Sequence, residues 1–191
     1  MQIDARHVVL WVLAELDGRP NGKTYLQKLC FFVGNVLDQD LGYRAHYYGP
    51  YSDQVASEIG FLNANDYIYE SRKGSGVADS RGWEVMRFDY RLTERGTAGV
   101  QWLDQQHPAQ SQAVRAAVQR ILGAGDLNYI GLSVAAKTFW ILHGEGRPMT
   151  FEGIAEKATQ FRWTVSGDEV RRAADFLGRL KLASVAQPQR L

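Results

Sequence analysis

Between Thr24 and Glu70 the chain changes its hydrophobic period three times in fewer than fifty residues, and few folds accommodate that order. Tyr25, Leu26, Leu29, Phe32, Val33, Val36 and Leu37 return every three or four residues, the spacing of one buried helical face, and Cys30 and Phe31 widen it. Gly42 offers a stop. Tyr43 to Tyr48 is short, aromatic and rich in strand formers, and Pro50 ends it because proline brings no amide to a sheet ladder. Ser52 or Asp53 can then cap a second helix whose inward positions are Val55, Ile59 and Leu62. With a strand to follow, the pattern predicts a winged helix-turn-helix.

The flanking segments fit that order. Arg6 to Leu16 carries Val9, Leu10, Val12, Leu13 and Leu16 as a helical face, and Gly18, Pro20, Asn21 and Gly22 make a turn before Thr24 as helix cap. Gly22-Lys23-Thr24 imitates the end of a phosphate-binding loop, but Asp17 stands where that motif needs glycine, so no nucleotide site is expected. Tyr67 to Glu70 and Trp83 to Leu92 alternate around a glycine-rich tip, as the two arms of a hairpin do. Arg72, Lys73 and Arg81 on that wing are placed to reach phosphates or a minor groove; a solvated hairpin tip is the plain alternative. Gly74-x-Gly76 lies in a hairpin and gives no evidence of a dinucleotide site.

Thr93 to Gln106 closes the first unit as a helix, and Gln105 to Gln110 around Pro108 reads as a linker. Helices follow over Ser111 to Leu122, Ser133 to Leu142 and Thr150 to Gln160, and Ser166-Gly167-Asp168-Glu169 is a capping box that opens a last helix to Leu180. The expected fold class is α+β, mostly α: a winged-helix domain over 1–107, then a smaller helix-turn-helix-like helical domain over 108–191.

At 191 residues, 45% hydrophobic and 23% charged, the chain has ample material for a core. The start Met1-Gln2-Ile3-Asp4 has no basic leader region, and Val8 to Leu13 falls far short of the roughly 20 residues that span a bilayer. No membrane and a cytoplasmic location are expected. One cysteine excludes an intramolecular disulfide, and Cys30 on the apolar helix is read as a buried, inert thiol. Residues 1–107 hold 11 basic against 14 acidic side chains, a balance of −3, while 108–191 hold 11 against 7, a balance of +4. That permits nucleic-acid binding without demanding it.

The last helix buries Val170, Ala173, Ala174, Leu177 and Leu180, which leaves Arg171, Arg172 and Arg179 towards solvent as candidate phosphate contacts, or as ordinary surface charge. Ser52 to Leu62, where a recognition helix belongs, offers Asp53 and Glu58 and no basic residue. Tyr47, Tyr48 and Tyr51 are candidates for a partner-binding or base-stacking groove, against the alternative that they cement a strand to its helix. His7, His46, His107 and His143 are scattered, His46 reads as a structural hydrogen-bonding group, and Glu152 with Glu156 reads as an exposed acidic face. No catalytic residue, metal site or cofactor is expected.

Leu26-Gln27-Lys28-Leu29, the aromatic pair after it and Tyr48-Gly49-Pro50-Tyr51-Ser52 about twenty residues on resemble the YwgA-like group of bacterial proteins. More distantly they resemble the Panacea-type antitoxin domain. The likeness covers roughly residues 7 to 104 and continues more loosely to about 186. It implies a winged-helix domain that binds nucleic acid or a partner, without a known reaction. The expected function is non-catalytic DNA binding or regulation, as a homodimer that pairs half-sites. The alternative is a protein-interaction module, antitoxin-like or accessory to phage defence, that does not bind DNA itself.

Overall fold

The computed structural model describes residues 2–19, 22–78, 84–125 and 127–183, without the side chains of 73, 75–78 and 84–87. Asp4 accepts from the Arg6 amide and starts α1, Ala5–Leu16. Helix α2, Lys23–Val36, begins at Gly22 without a side-chain cap, so Thr24 lies inside the helix and does not cap it. Every residue from Leu26 to Gly34 is buried. A helix buried on all sides is the centre of a fold, and α1 packs against this one.

Strand β1, Tyr43–Arg44, pairs antiparallel with β2, Tyr51–Ser52, setting Tyr43 opposite Ser52 and Arg44 opposite Tyr51. The expected strand to Tyr48 is therefore only two residues long. Beyond Arg44 the chain turns back, with the Gly49 amide donating to the His46 carbonyl at 2.9 Å. The Ser52 hydroxyl caps α3, Asp53–Ala64, whose buried side is Val55, Ile59 and Leu62 as the spacing predicts. Strands β3, Ile68–Ala78, and β4, Glu84–Leu92, form the expected hairpin, in register from Ile68 opposite Leu92 to Gly74 opposite Met86, with an irregularity before Ala78.

Thr93 caps α4, Glu94–Gln106. Gly96 in its first turn lies so close to the hairpin that a Cβ there would sit 1.9 Å from the Tyr67 carbonyl oxygen, so the approach requires glycine. No linker follows. His107 ends α4 and also begins α5, Pro108–Ala124, with Pro108 in the first turn, where its missing amide is harmless. This corner is fixed through Asp104. Its carboxylate accepts from Trp11 Nε1 at 2.9 Å, from the Ser111 hydroxyl at 2.5 Å and from Arg115 at 2.9 Å, and Arg115 also pairs with Glu15 at 2.5 Å.

Helix α6, Tyr129–Glu145, starts four residues before the expected Ser133 because the Asn128 side chain accepts from two of its first amides. Thr150 caps α7, Phe151–Gln160, and the Ser166 and Glu169 capping box opens α8, Gly167–Arg179. These three helices pack on one another, and α6 also packs on α2. Phe32 of α2 meets Phe176 of α8 edge to face at 5.3 Å, and Phe31 meets Phe139 of α6 at 5.8 Å. Residues before and after Pro108 thus share one hydrophobic core in a mostly helical α+β protein.

Candidate functional site

The two motifs that carry the resemblance meet at the face of α2. Gln27 and Lys28 occupy consecutive positions inside an apolar helix and are each only 1% exposed. Buried polar groups need partners, and the segment Leu41–Ser52 provides them. Gln27 Nε2 donates to the Ser52 carbonyl at 2.9 Å while the Ser52 amide donates to Gln27 Oε1 at 3.1 Å, an exchange of the kind two strands make. The Ser52 hydroxyl donates to the Leu41 carbonyl at 2.5 Å and accepts from the Val55 amide at 3.0 Å. The Tyr43 hydroxyl donates to the Gln27 carbonyl at 2.6 Å, and burial pushes that phenol well above its usual range.

Lys28 completes the clamp by donating from Nζ to the Pro50 carbonyl at 2.5 Å. Burial, then the neighbouring Lys137, lowers its ammonium to about 8. Lys137 from α6 lies along the same turn, and a side chain at position 49 would meet its Cγ at 3.1 Å. Gly49 also has φ +96, which favours glycine independently. From the other side, Trp163 Nε1 donates to the His46 carbonyl at 2.6 Å, so that one oxygen accepts from both Trp163 and Gly49. The Trp163 ring stacks on Phe161 at 4.7 Å and lies 5.9 Å from the Lys137 ammonium.

These bonds hold up a pair of aromatic side chains. Tyr47 and Tyr48 are each 65% exposed, edge to face at 4.9 Å. Tyr51 is half-buried, with its ring 5.1 Å from that of His46. His46 enters the scaffold through its backbone carbonyl and its ring contacts. Trp163 and Lys137 were missed from sequence because they stand about ninety residues or more from the turn they support. The burial of Gln27 and Lys28 had a local signal: two polar residues at the centre of an apolar helical run.

The basic candidates are dispersed. Arg72 is exposed on β3, its Nε on Glu70 at 2.9 Å and its guanidinium 5.5 Å from the Phe88 ring. The Lys73 side chain and all of Arg81 lie outside the described residues; the Lys73 backbone pairs with Arg87. On α8, Arg171, Arg172 and Arg179 are exposed as expected, but Asp168 and Asp175 share their face. Arg171 stands 3.8 Å from Asp168, and Arg179 donates to the Ala124 carbonyl at 2.7 Å. Among the described residues, Arg172 has neither an ion pair nor a hydrogen bond. The acidic groups of α3 are answered: Asp53 by Arg44 at 2.5 Å and Glu58 by Arg6 at 2.7 Å.

Glu152 and Glu156 are exposed, and Lys157, next to Glu156, pairs instead with Glu145 at 2.8 Å. Cys30 is fully buried, its thiol pushed up to about 12 by desolvation. Among the described residues no three His, Cys, Asp or Glu gather as a metal-ligand set, and no helix is long and apolar enough to cross a membrane. No family model matches the chain, and no curated protein matches it in sequence.

The clamp makes a prediction about alkali. A folded-state ammonium near 8 against an unfolded value near 10.5 means that the unfolded chain binds more protons between those limits, so Lys28 makes stability rise with pH there. Chemical unfolding of the wild type and of Lys28→Met at pH 7 and pH 10 is expected to show the wild type gaining on the variant by about 2 kcal/mol. An unchanged gap would mean that Lys28 is not held as a desolvated cation.

Proposed function

We propose that the protein is a non-catalytic regulatory binding protein, a winged helix-turn-helix followed by a smaller helix-turn-helix-like unit, that docks a protein partner through the turn carrying Tyr47 and Tyr48. The observation that carries this reading is the exposure of two adjacent tyrosines on a segment whose backbone is tied down by buried hydrogen bonds. Tyrosine contributes large contact area with little side-chain entropy to lose, and a fixed turn lowers the ordering cost of association. An antitoxin-like or phage-defence accessory role agrees with the resemblance of the Leu-Gln-Lys and Tyr-Gly-Pro motifs to the YwgA-like and Panacea-type groups. A photo-crosslinking residue placed at position 47 or 48 in cells is expected to give a discrete adduct that the same residue at exposed Gln112 on α5 does not. Equal labelling at all three positions would remove the docking turn.

A second reading, DNA binding as a homodimer, is favoured by two observations. The β3–β4 hairpin directly after α3 agrees with a wing that follows a recognition helix, and the Arg172 guanidinium has no pairing partner among the described residues. The mixed charge of α8 and the pairing of Arg72 with Glu70 argue for weak rather than tight phosphate contact. Fluorescence anisotropy on mixed duplex DNA over a salt series tests it. This reading expects affinity to fall steeply with salt, and the double substitution Arg172→Glu with Arg179→Glu to flatten the slope by about one to two phosphate contacts. Binding that is absent at low salt, or indifferent to that double substitution, would exclude it.

A further inference from the structure

Away from the tyrosine turn, a cavity of about 280 Å³ opens between the start of α6 and the first half of α8. That is just below the range of roughly 300–1,000 Å³ for drug-sized ligand pockets, which suits a small metabolite. Leu127, Ile130, Val134 and Ala173 give it an apolar lining, and Glu169 and Arg172 give it one carboxylate and one guanidinium. The α6 amides are not the attraction here, because Asn128 Oδ1 already accepts from Ile130 and Gly131 at 3.0 Å each. What remains are the two charges, three residues apart on α8 and so neighbours on its surface.

Each of them retains hydrogen-bonding capacity. Glu169 Oε2 accepts from the Ser166 amide at 2.8 Å and from its hydroxyl at 2.9 Å, while no hydrogen bond reaches Oε1 among the described residues. Those bonds, with Arg172 and Lys137 nearby, hold the Glu169 carboxyl below its usual range. Arg172 makes no hydrogen bond among the described residues, and Ile130 is 51% exposed, so the cavity reaches solvent. A simple anion would meet Glu169 as a like charge, and a simple cation would meet Arg172. A ligand bearing both charges a few bonds apart, with an aliphatic tail, satisfies the whole lining.

We propose that this cavity binds a free aliphatic α-amino acid, its carboxylate on Arg172, its ammonium on Glu169 and its side chain against Leu127, Ile130 and Val134. The cavity lining shares no residue with the docking turn, although Lys137 lies near both, and the proposal stands or falls without that turn. Because Arg172 on α8 makes no ion pair or hydrogen bond among the described residues, an occupied cavity would remove it from any phosphate contact, which makes the ligand an effector in the DNA-binding reading.

Methyl-labelled protein titrated with L-leucine tests the assignment by NMR. Saturable shifts are expected at the methyls of Leu127, Ile130 and Val134. Two analogues that each lack one charge, 4-methylpentanoate and 3-methylbutylamine, are expected to bind about tenfold more weakly or worse, the loss typical of one charged hydrogen-bonding partner. Arg172→Gln should lose the same factor, as should Glu169→Gln, which retains a side chain able to close the capping box. Absence of saturable shifts up to about 20 mM, well above the millimolar range of the weakest specific binding, would overturn the proposal. So would shifts confined to other regions, or equal binding of L-leucine and either analogue. The analogue comparison is made on the unaltered protein and does not depend on how the variants fold.

Discussion

The reciprocal hydrogen bonds between the Gln27 side chain and the backbone of Ser52 are the constraint on which the exposed tyrosine turn depends. They tie a turn that begins forty-odd residues into the chain to a helix buried on every side from Leu26 to Gly34. An amide buried without partners in that position would cost about 1–3 kcal/mol for each polar group left unmade, so the turn and the helix are obligate companions. Lys28 adds a single charged bond to Pro50, and Tyr43 and Ser52 close the remaining valences. The chain between Arg44 and Tyr51 is left short, with Gly49 at a positive φ and the His46 carbonyl doubly bonded by donors. Tyr47 and Tyr48 stand exposed on that scaffold.

Much of the helical architecture was legible because its signals are local. The cap of α3 (Ser52, of the two candidates Ser52 and Asp53), the capping box at Ser166, and the inward triplet Val55, Ile59 and Leu62 depend on residues within a turn or two, and each stands where the sequence pattern puts it. Where reading failed, the competing influence came from elsewhere. Tyr43 to Tyr48 has strand-forming residues throughout, yet a glycine turn ends the pairing after Arg44. Gln105 to Gln110 looks like a linker in composition, yet Asp104 gathers Trp11, Ser111 and Arg115 and turns the segment into a tight corner between helices. Thr24 is a good capping residue two positions too late, since Gly22 occupies the cap position.

For the candidate site, the sequence singled out the tyrosines of this turn without showing how the turn is held. Tyr47, Tyr48 and Tyr51 came from composition alone, and only the fold separates the exposed pair from the half-buried Tyr51. The contribution of Trp163 and Lys137 is a consequence of α6 and α7 packing beside α2, which no short-range pattern encodes. Charge reading was similarly incomplete. Counting Asp53 and Glu58 makes α3 look acidic, but Arg44 and Arg6 answer both from neighbouring elements. Counting arginines makes α8 look basic, but Asp168 and Asp175 lie among them. Net charge on one element is a poor guide to the field a partner meets when adjoining elements supply the opposite sign.

The claim that this turn is a fixed display surface is tested most directly by native-state amide hydrogen exchange in the wild type and in Gln27→Leu. The account predicts that the Ser52 and Val55 amides of the wild type exchange only through large-scale opening, and that Gln27→Leu releases residues 41–55 selectively while α5 and α6 keep their protection. Rapid exchange of Ser52 in the wild type, or protection there that survives the loss of Gln27, would contradict it.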